Sequence, residues 1–167
     1  RDRSRSNQEA FWADFAPRVG RGREELDRIF QAFYRQDFPA LRPLAVPLPE
    51  AREVLDYAVS RGYTLVLATS PVFPRAAILE RLRWAGIEHV PFALVTALED
   101  MHSCKPQVEY YREVLDLLGA QPGECLMVGN HVQEDMVASL LGIRTYLVEG
   151  PYLIDLGQPS YRPDFRG

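Results

Sequence analysis

The sequence predicts an α/β fold: a parallel sheet layered between helices, three layers in all, with a small helical appendage in front. Three observations predict it. From Glu50 onward, short apolar runs alternate with helical patterns, the signature of a parallel sheet with helices on both faces. Those runs stop abruptly in small or polar residues, most clearly at Thr69-Ser70 and at Gly129-Asn130. Ahead of them, four prolines (Pro39, Pro43, Pro47 and Pro49) set off two helical patterns from the rest.

Taken in order, Arg1–Arg5 is polar and expected to be loose. Ser6 or Asn7 can cap a helix whose first turn carries Gln8 and Glu9, and whose Ala10, Phe11 and Phe15 share a face. Pro17 and the glycines Gly20 and Gly22 are expected to break it. A second helix follows over residues 23–36, with Leu26, Ile29, Phe30 and Phe33 at helical spacing. Proline density over residues 38–49 argues against any helix or central strand there and marks a boundary. The expected organisation is a partial helical cap over 1–40 and an α/β core over 41–167.

In the core, a helix over 50–61 places Ala51, Val54, Leu55 and Ala58 on one side. Thr64-Leu65-Val66-Leu67-Ala68 then reads as a strand buried on both faces. A helix from Pro74 stops at Gly86, a natural C-terminal residue. Further strands are expected at 92–96, 124–128 and 144–148, and further helices at 107–118, ended by Gly119, and 132–141, ended by Gly142. Residues 161–165 offer a short edge strand.

At 167 residues the chain can bury roughly 70% of its extended surface, enough for a stable core. A net charge of -4 with both signs interspersed gives no basic field for nucleic acid, and the early arginines lack interleaved aromatic platforms. No run of about 18 apolar residues is present, so no membrane helix is expected. Two cysteines, Cys104 and Cys125, are too few for a disulfide scaffold, and no charged-then-apolar start suggests export. A reducing, cytoplasmic setting is expected. Oligomeric state is not legible.

Chemistry-bearing residues gather where strands end. An open α/β sheet places its ligand outside the carboxyl ends of its strands. Thr69 and Ser70 offer hydroxyls and N–H groups expected to be free of ladder partners, suited to an oxyanion such as phosphate; they could equally just close a strand. Lys105, in Ser103-Cys104-Lys105-Pro106, can meet a phosphate or carboxylate as a point charge, though most lysines are surface residues. Pro106, read as the first turn of the next helix, holds Lys105 extended. Asn130, Glu134 and Asp135 offer oxygen donors to a hard cation such as Mg2+. The bland alternative is that Asn130 caps a helix whose first turn the two acids decorate.

Three segments in this order, LVLATSPVFP, SCKPQVEYYREVLDLLG and ECLMVGNHVQEDMVASLLGIRTYLVEG, resemble the haloacid dehalogenase-like hydrolases, a Rossmann-like family, over residues 44–148. The resemblance implies a Mg2+-dependent phosphatase acting on a small phosphorylated molecule through an aspartyl-phosphate. Thr69, with Ser70 beside it, would bind the phosphate; Lys105 would neutralise it; Asn130, Glu134 and Asp135 would hold the metal. The helices before residue 38 resemble part of the family's cap.

The sequence departs from the family in two places. No Asp-x-Asp ends a leading strand, and Tyr152-Leu153-Ile154-Asp155 comes too late in the order, so the nucleophile and its strand are expected upstream of residue 1. Without that strand, residues 1–167 alone are expected not to fold stably. Asn130 stands where the family usually has Asp, one charge fewer for the metal. His131 reads as a loop or capping residue, while His89 and His102 receive no role. A non-catalytic binding or scaffold relative is the competing reading; a phosphoacceptor signalling domain and a carbon–halogen hydrolase fit less of the pattern.

Overall fold

The computed structural model describes residues 4–167, so part of the expected loose start lies outside the described residues. Parallel strands alternate with helices, which makes this an α/β fold. The chain divides into two compact units, the first closing at Asp100 and the second spanning Met101–Gly167. No described helix is long and apolar enough to cross a membrane.

The first unit begins with α1 (Asn7–Val19) and α2 (Arg23–Ala32). Ser6 caps α1: its hydroxyl accepts from the Glu9 N–H at 3.2 Å, and the Glu9 carboxylate accepts from the Ser6 N–H at 2.8 Å. Pro17 does not break this helix. It sits in the last turn, where one lost hydrogen bond is tolerated, and Gly20, left-handed at φ 71°, ends it. Trp12, Ala16 and Leu26 are buried together, with Phe11, Phe15 and Phe30 packed around them. Each fully buried side chain of this size contributes about 1.5–3 kcal/mol.

Residues 33–44 overturn one expectation. α2 runs into a π-helical turn, Phe33–Asp37, and then a 3-10 helix, Phe38–Leu44. Pro39 stands at the start of that 3-10 helix, where its missing N–H costs nothing, and Phe38 stacks on Trp84 at 4.9 Å. Proline density excluded a long α-helix here but not a short tight one.

α3 (Pro49–Ser60) leads to β1 (Leu65–Leu67), then α4 (Arg75–Ala85) and β2 (Phe92–Val95). β1 and β2 pair in parallel, Leu65 to Phe92 and Leu67 to Val95. Leu82, Ile87 and Val90 form the core against which Leu55, Leu65, Leu67 and Phe92 pack. β1 is only half-buried along its length, contrary to the expectation of burial on both faces. Its ladder has two strands, and an apolar run cannot reveal how many neighbours a strand has.

The second unit contains α5 (Val108–Leu118), β3 (Leu126–Gly129), the short α6 (Val132–Asp135), β4 (Arg144–Leu147) and β5 (Phe165–Arg166). The ladder is parallel, in the order β3-β4-β5. β5 is the edge strand expected near the end of the sequence, displaced to Phe165–Arg166. Asp164 anchors it, accepting from the Thr145 N–H at 2.8 Å and the Thr145 hydroxyl at 3.0 Å. The helix expected over 132–141 is α-helical for one turn only and then tightens to 3-10 over Met136–Leu141. β3 exposes Leu126 and Val128, each at 50%.

Candidate functional site

The centre of the second unit is a buried ion pair. Lys105 Nζ donates to Asp135 Oδ1 at 2.6 Å, and the two side chains are 5% and 8% exposed. Lys105 is the only lysine in the sequence. The rings of Tyr110 and Tyr111 lie together on one side of its ammonium, with both centroids 5.8 Å from Nζ, which adds attraction from two aromatic rings. The Lys105–Pro106 peptide is cis. Pro106 does not open the helix: α5 starts at Val108 with Gln107 as its N-cap, so Lys105 reaches Asp135 from the turn before α5.

Three features position Asp135. Its Oδ2 accepts from the His131 N–H at 3.0 Å, its own N–H donates to the His131 carbonyl at 2.8 Å, and β3 ends in Gly129 directly beneath it. A Cβ on Gly129 would lie 2.7 Å from Asp135 Cβ and closer still to its carboxyl group. Glycine is required here by space, not by backbone angle. Tyr111 closes the far side, its hydroxyl donating to the Glu134 carbonyl at 2.7 Å. Burial, reinforced by the Asp135 charge, pushes the Tyr111 phenol well up, so it remains a neutral donor.

His131, not Asn130, is the N-cap of α6: its Nδ1 accepts from the Glu134 N–H at 3.3 Å. Asn130 faces the segment after β4 instead. Its side-chain Nδ2 donates to the Tyr152 carbonyl at 2.6 Å, and its own carbonyl accepts from the Ile154 N–H at 2.8 Å. The Val132 N–H donates to the Ile154 carbonyl at 2.9 Å, completing a strand-like bridge between His131 and Ile154. Gln133, almost fully buried, extends the clamp. Its amide donates to Asp155 at 2.9 Å and to the Pro159 carbonyl at 3.2 Å, and its oxygen accepts from the Leu156 N–H at 2.9 Å. Sequence reasoning missed Gln133, because its partners lie more than twenty residues away.

In the first unit, Thr69 and Ser70 follow β1. Contrary to the expectation of a free N–H, the Thr69 N–H donates to Thr96 Oγ1 at 2.9 Å, while the Thr69 hydroxyl donates to the Thr96 carbonyl at 3.0 Å. Thr96 is fully buried at the end of β2 and ties the two strand ends together. Thr69 Oγ1 keeps its acceptor lone pairs. The Ser70 carbonyl accepts from the Val72 N–H at 2.8 Å. The N-terminus of α4 is already covered, since the Glu99 carboxylate accepts from the Arg75 N–H at 3.0 and 3.1 Å. His89 pairs with Asp56 at 2.9 Å and His102 with Glu113 at 2.7 Å.

The donors fit a magnesium ion in kind. Asn130 retains its amide oxygen, Glu134 retains its carboxylate, and Mg2+ keeps several waters while using one or two protein carboxylates. Asp135 enters any such set already bound to Lys105. Among the described residues, no three of His, Cys, Asp and Glu converge on one point.

A family model described as haloacid dehalogenase-like hydrolase matches residues 3–139. Two curated relatives are both named pyrophosphatase PpaX. The Bacillus velezensis protein is 29% identical over 83% of this chain and 63% of its own length. That of Halalkalibacterium halodurans is 21% identical over 83% of this chain and 65% of its own length. The chain thus spans just under two thirds of these relatives. A solved HAD phosphatase from Thermococcus onnurineus superposes with a TM-score of 0.63 at 18% identity, covering 94% of this chain and 81% of that one.

Proposed function

The chain belongs to the haloacid dehalogenase-like hydrolases, and we propose that the protein is a cytoplasmic Mg2+-dependent phosphohydrolase acting on a small phosphorylated molecule. The observation that carries this reading is the buried Lys105–Asp135 pair beneath two tyrosine rings. An ammonium held out of bulk water is a strong, fixed counter-charge for a transferring phosphoryl group, and preorganised charge is the main source of catalysis in such reactions. The two names of pyrophosphatases make inorganic pyrophosphate the first substrate to test.

In the proposed reaction a carboxylate attacks phosphorus, the leaving group departs, and water cleaves the resulting aspartyl-phosphate. Thr69 and Ser70 bind phosphate oxygens through hydroxyl or backbone groups, which for Thr69 requires its N–H or O–H to leave Thr96. Lys105 neutralises phosphate charge, and Asp135 holds its ammonium in place. Asn130, Glu134 and Asp135 would hold Mg2+, which offsets charge on the phosphoryl oxygens. The helices α1 and α2 serve as part of a cap.

The test is turnover of pyrophosphate and 4-nitrophenyl phosphate by the full-length protein, with Mg2+ and after chelation. The expected result is Mg2+-dependent turnover that Lys105→Met abolishes. A second reading, a non-catalytic phosphate-binding relative, draws on the prior commitments of the site: both Asp135 oxygens and the Asn130 amide already have protein partners. Phosphate binding by calorimetry with no turnover of either substrate would select it.

A further inference from the structure

A cavity of about 340 Å3 in the first unit is lined by Arg42, Pro47, Pro49, Arg52, Arg83 and Trp84, among others. Its size falls at the lower end of the range for small-molecule sites, roughly 300–1,000 Å3. No acidic residue is among those lining it, although the whole chain carries a net charge of -4. Two kinds of residue meet there: prolines and a tryptophan within a mostly apolar lining, and three arginines.

Both are available to a ligand. Arg42 takes part in none of the ion pairs among the described residues. Arg52 meets Asp56 only at 3.6 Å, and Arg83 meets Glu80 at 2.7 Å; both arginines are well exposed, and surface pairs of this kind hold their partners weakly. Either guanidinium can turn to a new anion. Trp84, by contrast, is fixed, with its Nε1 donating to Glu80 at 2.9 Å and its ring stacked on Phe38. A rigid aromatic wall with mobile arginines at its rim suits a flat molecule carrying a planar or tetrahedral oxyanion, which arginine binds through two N–H groups.

We propose that this cavity binds a small aromatic oxyanion, its ring against Trp84 and the prolines and its carboxylate or phosphate held by Arg42 together with Arg52 or Arg83. The site is separate from the proposed hydrolytic chemistry and does not depend on it. Calorimetric titration of the full-length protein with 2-naphthoate and with 2-naphthylphosphonate, whose carbon–phosphorus bond resists hydrolysis, tests the proposal and separates the two anion types.

At least one of the two probes is expected to bind. 2-Naphthol, which lacks the anion, should bind at least about tenfold more weakly, the loss of one charge-assisted contact. The Arg42→Ala/Arg83→Ala variant should lose at least the same factor. If that variant fails to fold, Arg42→Gln, which disturbs no ion pair, replaces it with the same expectation. Absence of binding by both probes up to millimolar concentration would overturn the proposal and leave the cavity to a protein segment. Equal affinity in wild type and variant, or naphthol binding as tightly as naphthoate, would overturn it too.

Discussion

The side-chain amide of Asn130 donates a 2.6 Å hydrogen bond to the carbonyl of Tyr152. Only a donor can fill that position. A carboxylate there would set two acceptors against each other. Besides its proposed role toward the metal, Asn130 is the first rung of a clamp running through Ile154, Asp155 and Pro159.

Asn130→Asp is therefore expected to loosen that clamp while adding charge to the loop. Loss of one net hydrogen bond costs about 1 kcal/mol. Hydrogen exchange should accelerate at the Ile154 amide, whose partner is the Asn130 carbonyl, with little change in β3 and β4. Unchanged exchange at Ile154 would show that the segment does not need the amide.

Lys105→Met leaves Asp135 buried without its counter-charge, and breaking a buried pair in this way typically costs about 3–5 kcal/mol. Asp135→Asn in the same chain should restore much of that loss. Urea unfolding of the two single variants and the double variant gives the coupling directly. Additive losses would mean that the pair contributes little of its own.

Gly129→Ala places a methyl group against the Asp135 side chain. Crowding of this kind usually costs about 1–3 kcal/mol, and relief requires Asp135 to move away from Lys105. The variant should lose stability in thermal unfolding, and any phosphatase activity should fall further than stability alone explains. Wild-type activity in a folded Gly129→Ala protein would separate the pair from the chemistry.

The Gln133 amide, and after it the Gly157 N–H, donate to Asp155 and hold its carboxyl below the ordinary carboxylate range. A depressed folded value means that the stabilisation is present above the unfolded value, about 3.9, and is lost as pH falls through the folded one. The clamp should accordingly hold at neutral pH and open only in acid below about pH 4. Carboxyl NMR titration reads this, and Gln133→Leu should raise the Asp155 midpoint. A midpoint unmoved by that change would assign the shift to other groups.

Much of this arrangement was legible in the sequence. The glycine stops at Gly86, Gly119 and Gly142 were readable because left-handed helix ends favour glycine, and all three residues adopt that conformation. Lys105 was legible as a charge at a strand–helix junction. What it touches was not, because Asp135 lies thirty residues further on and its two acceptor oxygens could serve a metal or an ammonium equally well. Thr96 went unnoticed for the same reason: a buried threonine at a strand end has no local pattern, and its partner Thr69 is set by strand pairing. The 3-10 helix over Phe38–Leu44 escaped because a proline count speaks against α-helix, not against a turn that proline can begin.

The enclosure of Lys105 also makes the protein chemically unusual. Within residues 1–167 the single lysine, closed off by two tyrosines and an aspartate, presents no side-chain amine to acylating reagents while the second unit stays closed. Amine labelling at residue 105 then becomes a clock for local opening, and mass spectrometry can read it without engineering a probe into the chain.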